Sequence, residues 1–305
     1  WKWGDKYGKW PFLYFSCSFI LGGLTIGALK PTNTWDLPTY LALGIVAILY
    51  AAIKNNGAGE SVKTSLVKNH WLAGVGSALL LTVLAFAFYQ PFSHWFGQGY
   101  NAIEYWKGSY TPFWSYFTHW GLFLFLIFSW LAWETIDWMA KTPVSALNKL
   151  LPYKNWLTGL AVLFAACVIG LLILGVRVAW LVLPMALWAG VLLFRPGQND
   201  AKRAALFMVG SGLVLTLAVE LIVLRGDIGR MNTVFKFSLQ AWTLLSISAA
   251  AGLMWMLPAV LNEWNTNQRS LWVTVCGALV FSAALFPVIG GMDKITDRMS
   301  DVAPH

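Results

Sequence analysis

Apolar residues run along this chain in blocks of about 20, the length that carries a helix across hydrocarbon. Nine blocks stand out: 11–29, 38–53, 71–90, 115–138, 156–175, 178–194, 204–224, 233–260 and 271–290. Each predicts a transmembrane helix, and the second and sixth are short. Pro31, Pro38, Pro91, Pro112, Pro152 and Pro196 lie in the connections, where a missing N–H does least harm. Pro184 and Pro258 fall inside blocks and predict kinks. No repeat, low-complexity segment or soluble domain interrupts the pattern. The expected fold is all-α: a polytopic helical membrane bundle forming a single transmembrane domain over residues 1–305. The opening WKWGDKYGKW lacks the form of a secretory signal, and the chain stops abruptly at SDVAPH. Both ends read as cuts through a longer protein.

Composition agrees with this class. The chain is 58% hydrophobic and 11% charged, with a mean hydropathy of +0.62. Nineteen tryptophans suit the boundary between water and lipid. The net charge of +8 is spread over short loops without a basic, aromatic-lined groove, which argues against nucleic acid. Cys17, Cys167 and Cys276 all lie in apolar blocks and read as buried free thiols. His70, His94, His119 and His305 show no metal-binding spacing, so neither a metal nor a cofactor is implied.

Loop charge gives a sidedness. Thirteen lysines and arginines fall on the side of the N-terminus and eight on the other. The positive-inside rule then places the N-terminus in the cytoplasm and the C-terminus outside a cell membrane. The unusual loops gather on the outer side, whereas inner loops such as KNNGAGESVKTSLVKN read as solvated linkers.

In TNTWDLPTY, Asp36 has two readings. It is a helix N-cap followed by proline, with Trp35 as an interface anchor. Alternatively Asn33 and Asp36 bind hydroxyls while Trp35 stacks on a sugar face. The aromatic loop 91–114 reads as an interfacial helix, or as a cover over a lipid entrance with Glu104 as its polar contact. His119, one turn into the next span, is a hydrogen-bonded helix contact or a base.

The richest stretch is RGDIGRMNTVFKFSLQ, residues 225–240. A helix starting near Asn232 puts Asn232, Lys236 and Gln240 on one face, with Phe235, Leu239 and Trp242 pointing elsewhere. Such a stripe faces protein or a wet cavity. Arg230 and Lys236 suit a phosphate, and the helix N-terminus adds N–H groups favourable to an anion. Gly226 and Gly229 allow a sharp bend. The competing reading is internal pairing, Arg230 with Asp227 and Lys236 with Glu220.

NTWDLPTY, TPFWSYFTHWGLFLF and DIGRMNTVFKFSLQAW, in this order, resemble the YYY membrane proteins, a family of unknown function grouped with the GT-C glycosyltransferases. The resemblance covers nearly the whole chain, although the naming tyrosine motif does not occur. It implies a GT-C-like bundle acting on the outer face with a sugar carried on polyprenyl phosphate. It also implies one outer site made of Asn33, Asp36, Asp227, Arg230, Asn232 and Lys236. The family's catalytic carboxylate belongs to an outer loop upstream of Trp1, so the catalytic residue is unknown. Two rival readings remain open: a non-catalytic subunit held to other membrane subunits, and an anionic-lipid transporter. Membrane lipids are partners in all three.

Overall fold

A computed structural model of the chain describes residues 11–56, 70–97 and 102–299. It is 83% helical, and seven helices are long and apolar enough to cross a membrane. Shorter apolar helices at Trp71–Ala87 and Ala179–Leu193 complete the nine positions expected from the hydropathy blocks. A helix is the natural form for such blocks because it satisfies its own backbone N–H and C=O groups where no water can. One length differs from expectation: the second helix is full-sized at 21 residues, and the third, at 18, takes its place among the short ones.

The chain divides into two compact units. The first comprises residues 1–103 and 224–240. It contains α1 (Pro11–Gly27), α2 (Leu29–Thr32), α3 (Asp36–Asn56), α4 (His70–Ala87), α5 (Gln90–Trp95) and the opening of α10 (Met231–Asn262). Helices α1 and α4 meet through Gly23 and Gly27, one turn apart. A Cβ on Gly27 would collide with the Ala85 carbonyl oxygen, and one on Gly23 would sit 2.6 Å from the Leu84 Cβ. This is the small-residue packing by which membrane helices gain dispersion contact, since lipid removes the hydrophobic drive to associate. Tyr89 fastens the same pair by donating its hydroxyl to the Leu24 carbonyl at 3.0 Å.

The second unit comprises residues 104–223 and 241–305. It holds α6 (Phe113–Lys141), a 3₁₀ segment (Val144–Tyr153), α7 (Lys154–Ile173), α8 (Ala179–Leu193), α9 (Asp200–Leu221), the rest of α10, and α11 (Thr266–Arg298). Its core interleaves Ile127, Trp130 and Leu131 of α6 with Val182 and Ala189 of α8, Val209 and Leu213 of α9, and Leu245 and Met256 of α10. α7 and α11 contribute no buried residue. Cys17 on α1 and Cys167 on α7 are exposed on their helices, not buried, while Cys276 is half-buried. All three are free.

The aromatic loop departs from the expected interfacial helix. Among its described residues, helix is confined to Gln90–Trp95 and to Phe113 and Trp114 at the start of α6. Ile103–Tyr105 forms β1, which pairs with β2, Ile222–Leu224. Trp106 N donates to the Leu221 carbonyl and Arg225 N to that of Ala102, so the strands run antiparallel. Helical amphipathicity was a reasonable reading of this loop, but its backbone groups find partners in the segment leading to Arg225.

Candidate functional site

Most of the polar residues singled out in the sequence come together in the first unit. The turn between α9 and α10 bends at Gly226 and Gly229, whose φ values of 85° and 63° suit glycine. Asp227 lies between them and caps α10. Its Oδ1 accepts from Asn232 N at 3.2 Å and Asn232 Nδ2 at 3.0 Å. Its Oδ2 accepts from Thr233 N and Thr233 Oγ1, both at 2.8 Å. The fully buried Thr233 hydroxyl also accepts from Leu224 N at 2.9 Å. Burial pushes the Asp227 carboxyl up, but the bonds from Thr233 and Asn232 outweigh it and hold the group below its usual value. The expected anion site on these helix N–H groups is therefore filled by the protein's own carboxylate.

Further along α10, Thr233, Phe237 and Gln240 are buried and Asn232 and Lys236 half-buried, while Met231, Phe235 and Leu239 are exposed. The polar stripe thus faces protein. At its deep end Gln240 Nε2 donates to Asp36 Oδ1 at 2.8 Å and to the Trp35 carbonyl at 3.0 Å. Asn33 Nδ2 donates to the same Asp36 oxygen at 2.8 Å. Asp36 begins α3, and its carboxyl is engaged by these two amides. The Lys236 ammonium acts on Asp36 through space. The Trp35 ring tilts against Phe237, with centroids 6.1 Å apart. Asn33, Trp35, Asp36, Asp227, Arg230, Asn232, Lys236 and Gln240 all belong to this unit.

Glu104 and His119 belong to the other unit. Glu104 is exposed on β1. His119 is exposed on α6, its ring set edge-on to Trp120 with centroids 4.6 Å apart. Glu220 is also in the second unit, 2% exposed, accepting from Thr111 N at 2.8 Å and Thr111 Oγ1 at 2.6 Å.

A second charged cluster escaped the sequence reading. Glu134, 1% exposed, accepts from Arg195 Nη1 at 2.9 Å on one oxygen and from Lys202 Nζ at 2.6 Å on the other. Trp133 and Trp255 flank the Lys202 ammonium, and Trp138 lies against the Arg195 guanidinium. Arg203 gives its donors to the carbonyls of Leu193, Arg195 and Gln198, closing the end of α8. Charges that had been counted only for sidedness thus serve as internal partners. The signal was present: a carboxylate inside the block 115–138 needs a counter-ion.

Among the described residues no three His, Cys, Asp or Glu side chains gather as a metal would require.

The model of an uncharacterized membrane protein family, DUF2298, matches residues 5–245. The chain belongs to the DUF2298 family. Every residue of the first-unit cluster lies in the matched stretch, whereas the end of α10 and all of α11 lie beyond it. The DUF2298 match is therefore narrower than the near-complete resemblance expected from the motifs. No curated protein and no solved structure matches the chain.

Proposed function

We propose that this DUF2298 chain is a GT-C-like membrane glycosyltransferase, and that the first-unit cluster recognises a sugar carried on polyprenyl phosphate at the outer face. The observation that carries the reading is Asp36: a carboxylate at a helix start, held by the side-chain amides of Asn33 and Gln240 with the Lys236 ammonium acting on it. Such a carboxylate has a fixed orientation and acceptor oxygens, which suits binding of hydroxyls. The YYY and GT-C resemblance supplies the substrate class, and the loop-charge bias supports an outer location with the N-terminus cytoplasmic.

The reaction is a single displacement. The acceptor oxygen bonds to the anomeric carbon as the bond from that carbon to the phosphate oxygen breaks, and the acceptor's proton passes to a carboxylate. Arg230 and Lys236 stabilise the departing lipid phosphate as its charge grows. Asn33, Asp36 and Asn232 bind sugar hydroxyls. Asp227 is a positioning residue: it fixes the first turn of α10, from which Asn232 and Lys236 project. The carboxylate base is not assigned to a residue of this chain.

The test is sugar transfer from a polyprenyl-phosphate donor by the full-length protein. Arg230→Ala should lower the rate constant about 100-fold, the usual loss for one transition-state donor. Unchanged transfer would remove Arg230 from the leaving-group role.

A second reading has a specific observation behind it. Four hydrogen bonds accepted by Asp227 lie within one helix start, as structural glue would. A non-catalytic subunit would co-purify with other membrane subunits and carry no lipid-linked sugar.

A further inference from the structure

Two buried polar atoms in the first-unit cluster lack a hydrogen-bond partner among the described residues: Trp35 Nε1 and Gln240 Oε1. The first is a donor and the second an acceptor. They sit on residues that are themselves joined, since Gln240 Nε2 donates to the Trp35 carbonyl at 3.0 Å. Burial without a partner costs free energy, so such atoms are rare and usually have a reason.

Neither atom can simply be reoriented. The Gln240 amide has an acceptor on each side of its Nε2, the Trp35 carbonyl and Asp36 Oδ1. Exchanging its oxygen and nitrogen would face oxygen with oxygen, so Oε1 stays where it is. The Trp35 indole is held against Phe237. Trp130 Nε1 and Gln198 Nε2 in the second unit also lack partners, but both are donors, without a complementary acceptor. Among the described residues, an unpartnered donor and an unpartnered acceptor on two directly bonded residues occur at Trp35 and Gln240.

We propose that Trp35 Nε1 and Gln240 Oε1 form a hydroxyl-recognition subsite beside Asp36, selective for a neutral polyol such as a monosaccharide ring. A hydroxyl accepts from the indole N–H and donates to the amide oxygen. An ionised phosphate can only accept, and an ammonium can only donate, so each leaves one of the two atoms unsatisfied. Discrimination of this kind is strong because a wrong ligand leaves a buried polar group unpaired. The Trp35 indole therefore acts through its N–H edge, in contrast to the stacking role read from the sequence. Both atoms are shielded from solvent, on residues that are held in place by their other contacts. The inference rests on the transferase reading only for the lipid that carries the sugar.

Native mass spectrometry of the full chain, incubated with polyprenyl phosphate or with polyprenyl-phosphate hexose, tests it. Trp35→Phe removes the N–H alone and is the deciding variant; Gln240→Met removes the acceptor together with the donor to Asp36 at nearly constant length. Each should lower retention of the hexose-bearing lipid about tenfold while bare polyprenyl phosphate stays within about twofold of wild type. Retention of the hexose lipid at the wild-type level would overturn the proposal, since a bridging water would then suffice. Equal loss of both lipids would overturn it too, because the two atoms would not be reading hydroxyls. Should the wild-type chain hold neither lipid, the transferase reading falls, and an alkyl glucoside becomes the deciding probe. Weaker glucoside binding by both variants would sustain the subsite; no wild-type binding, or equal binding by all three proteins, would end it.

Discussion

Glu134 and Asp36 are both carboxylates inside a hydrophobic chain, and they are satisfied in opposite ways. Glu134 has a cation on each oxygen and tryptophans against both cations. Asp36 is held on one oxygen by two neutral amides, and the adjoining indole and amide leave a donor and an acceptor unpaired. A buried carboxylate with a cation on each oxygen has nothing left to offer a ligand. Amides orient a carboxylate without cancelling its charge, and unpaired atoms beside it give a ligand something to complete. The first arrangement suits stability, and the second is the one we propose for recognition.

Breaking the Glu134 network gives the largest expected effect. Glu134→Ala leaves the half-buried Arg195 and Lys202 without their shared counter-ion and should cost about 3 kcal/mol, read as a lower thermal midpoint in detergent. It should not change lipid selectivity, because the comparison assigns this cluster to stability alone. A selective loss of sugar-lipid binding would dissolve the distinction.

Asp227→Ala comes next. It removes a cap with four hydrogen bonds and should cost about 1–2 kcal/mol. Its pH dependence has a definite sign. The folded-state carboxyl titrates below its unfolded value, so the stabilisation is complete above the unfolded value near ~3.9 and is lost as pH falls through the lower folded value. Unfolding measured from pH 6 down to pH 2 should therefore decline less steeply in acid for Asp227→Asn than for wild type. Parallel curves would show that Asp227 contributes nothing through its charge.

The smallest effect belongs to Lys141, which pairs with Asp137 at 2.6 Å one helical turn away but is 70% exposed. Lys141→Ala should shift stability by about 0.3–0.5 kcal/mol or less, and less still in high salt. A cost comparable to Glu134→Ala would mean that exposure does not separate the two halves of the same charged region.

Much of this was written in the order of residues. Blocks of apolar residues fixed the helices, because hydrocarbon leaves the backbone no other economical form. The spacing of Asn232, Lys236 and Gln240 predicted one face of α10, because 3.6 residues make a turn. Glycines 226 and 229 marked the bend, since few other residues accept positive φ.

Other features depended on which distant residues met. Asp36 read first as an N-cap; that Gln240, 204 positions away in sequence, donates to it could not be read from the local sequence. The helix start near Asn232 read as an anion site until Asp227 was seen to fill it. Loop 91–114 read as helical until its backbone paired with the strand before Arg225. Local pattern determines secondary structure and facing, because those follow from backbone geometry and solvent. Which polar groups are satisfied, and by whom, is decided by tertiary structure, because a hydrogen bond exists only at about 3 Å and no sequence spacing encodes that distance across helices.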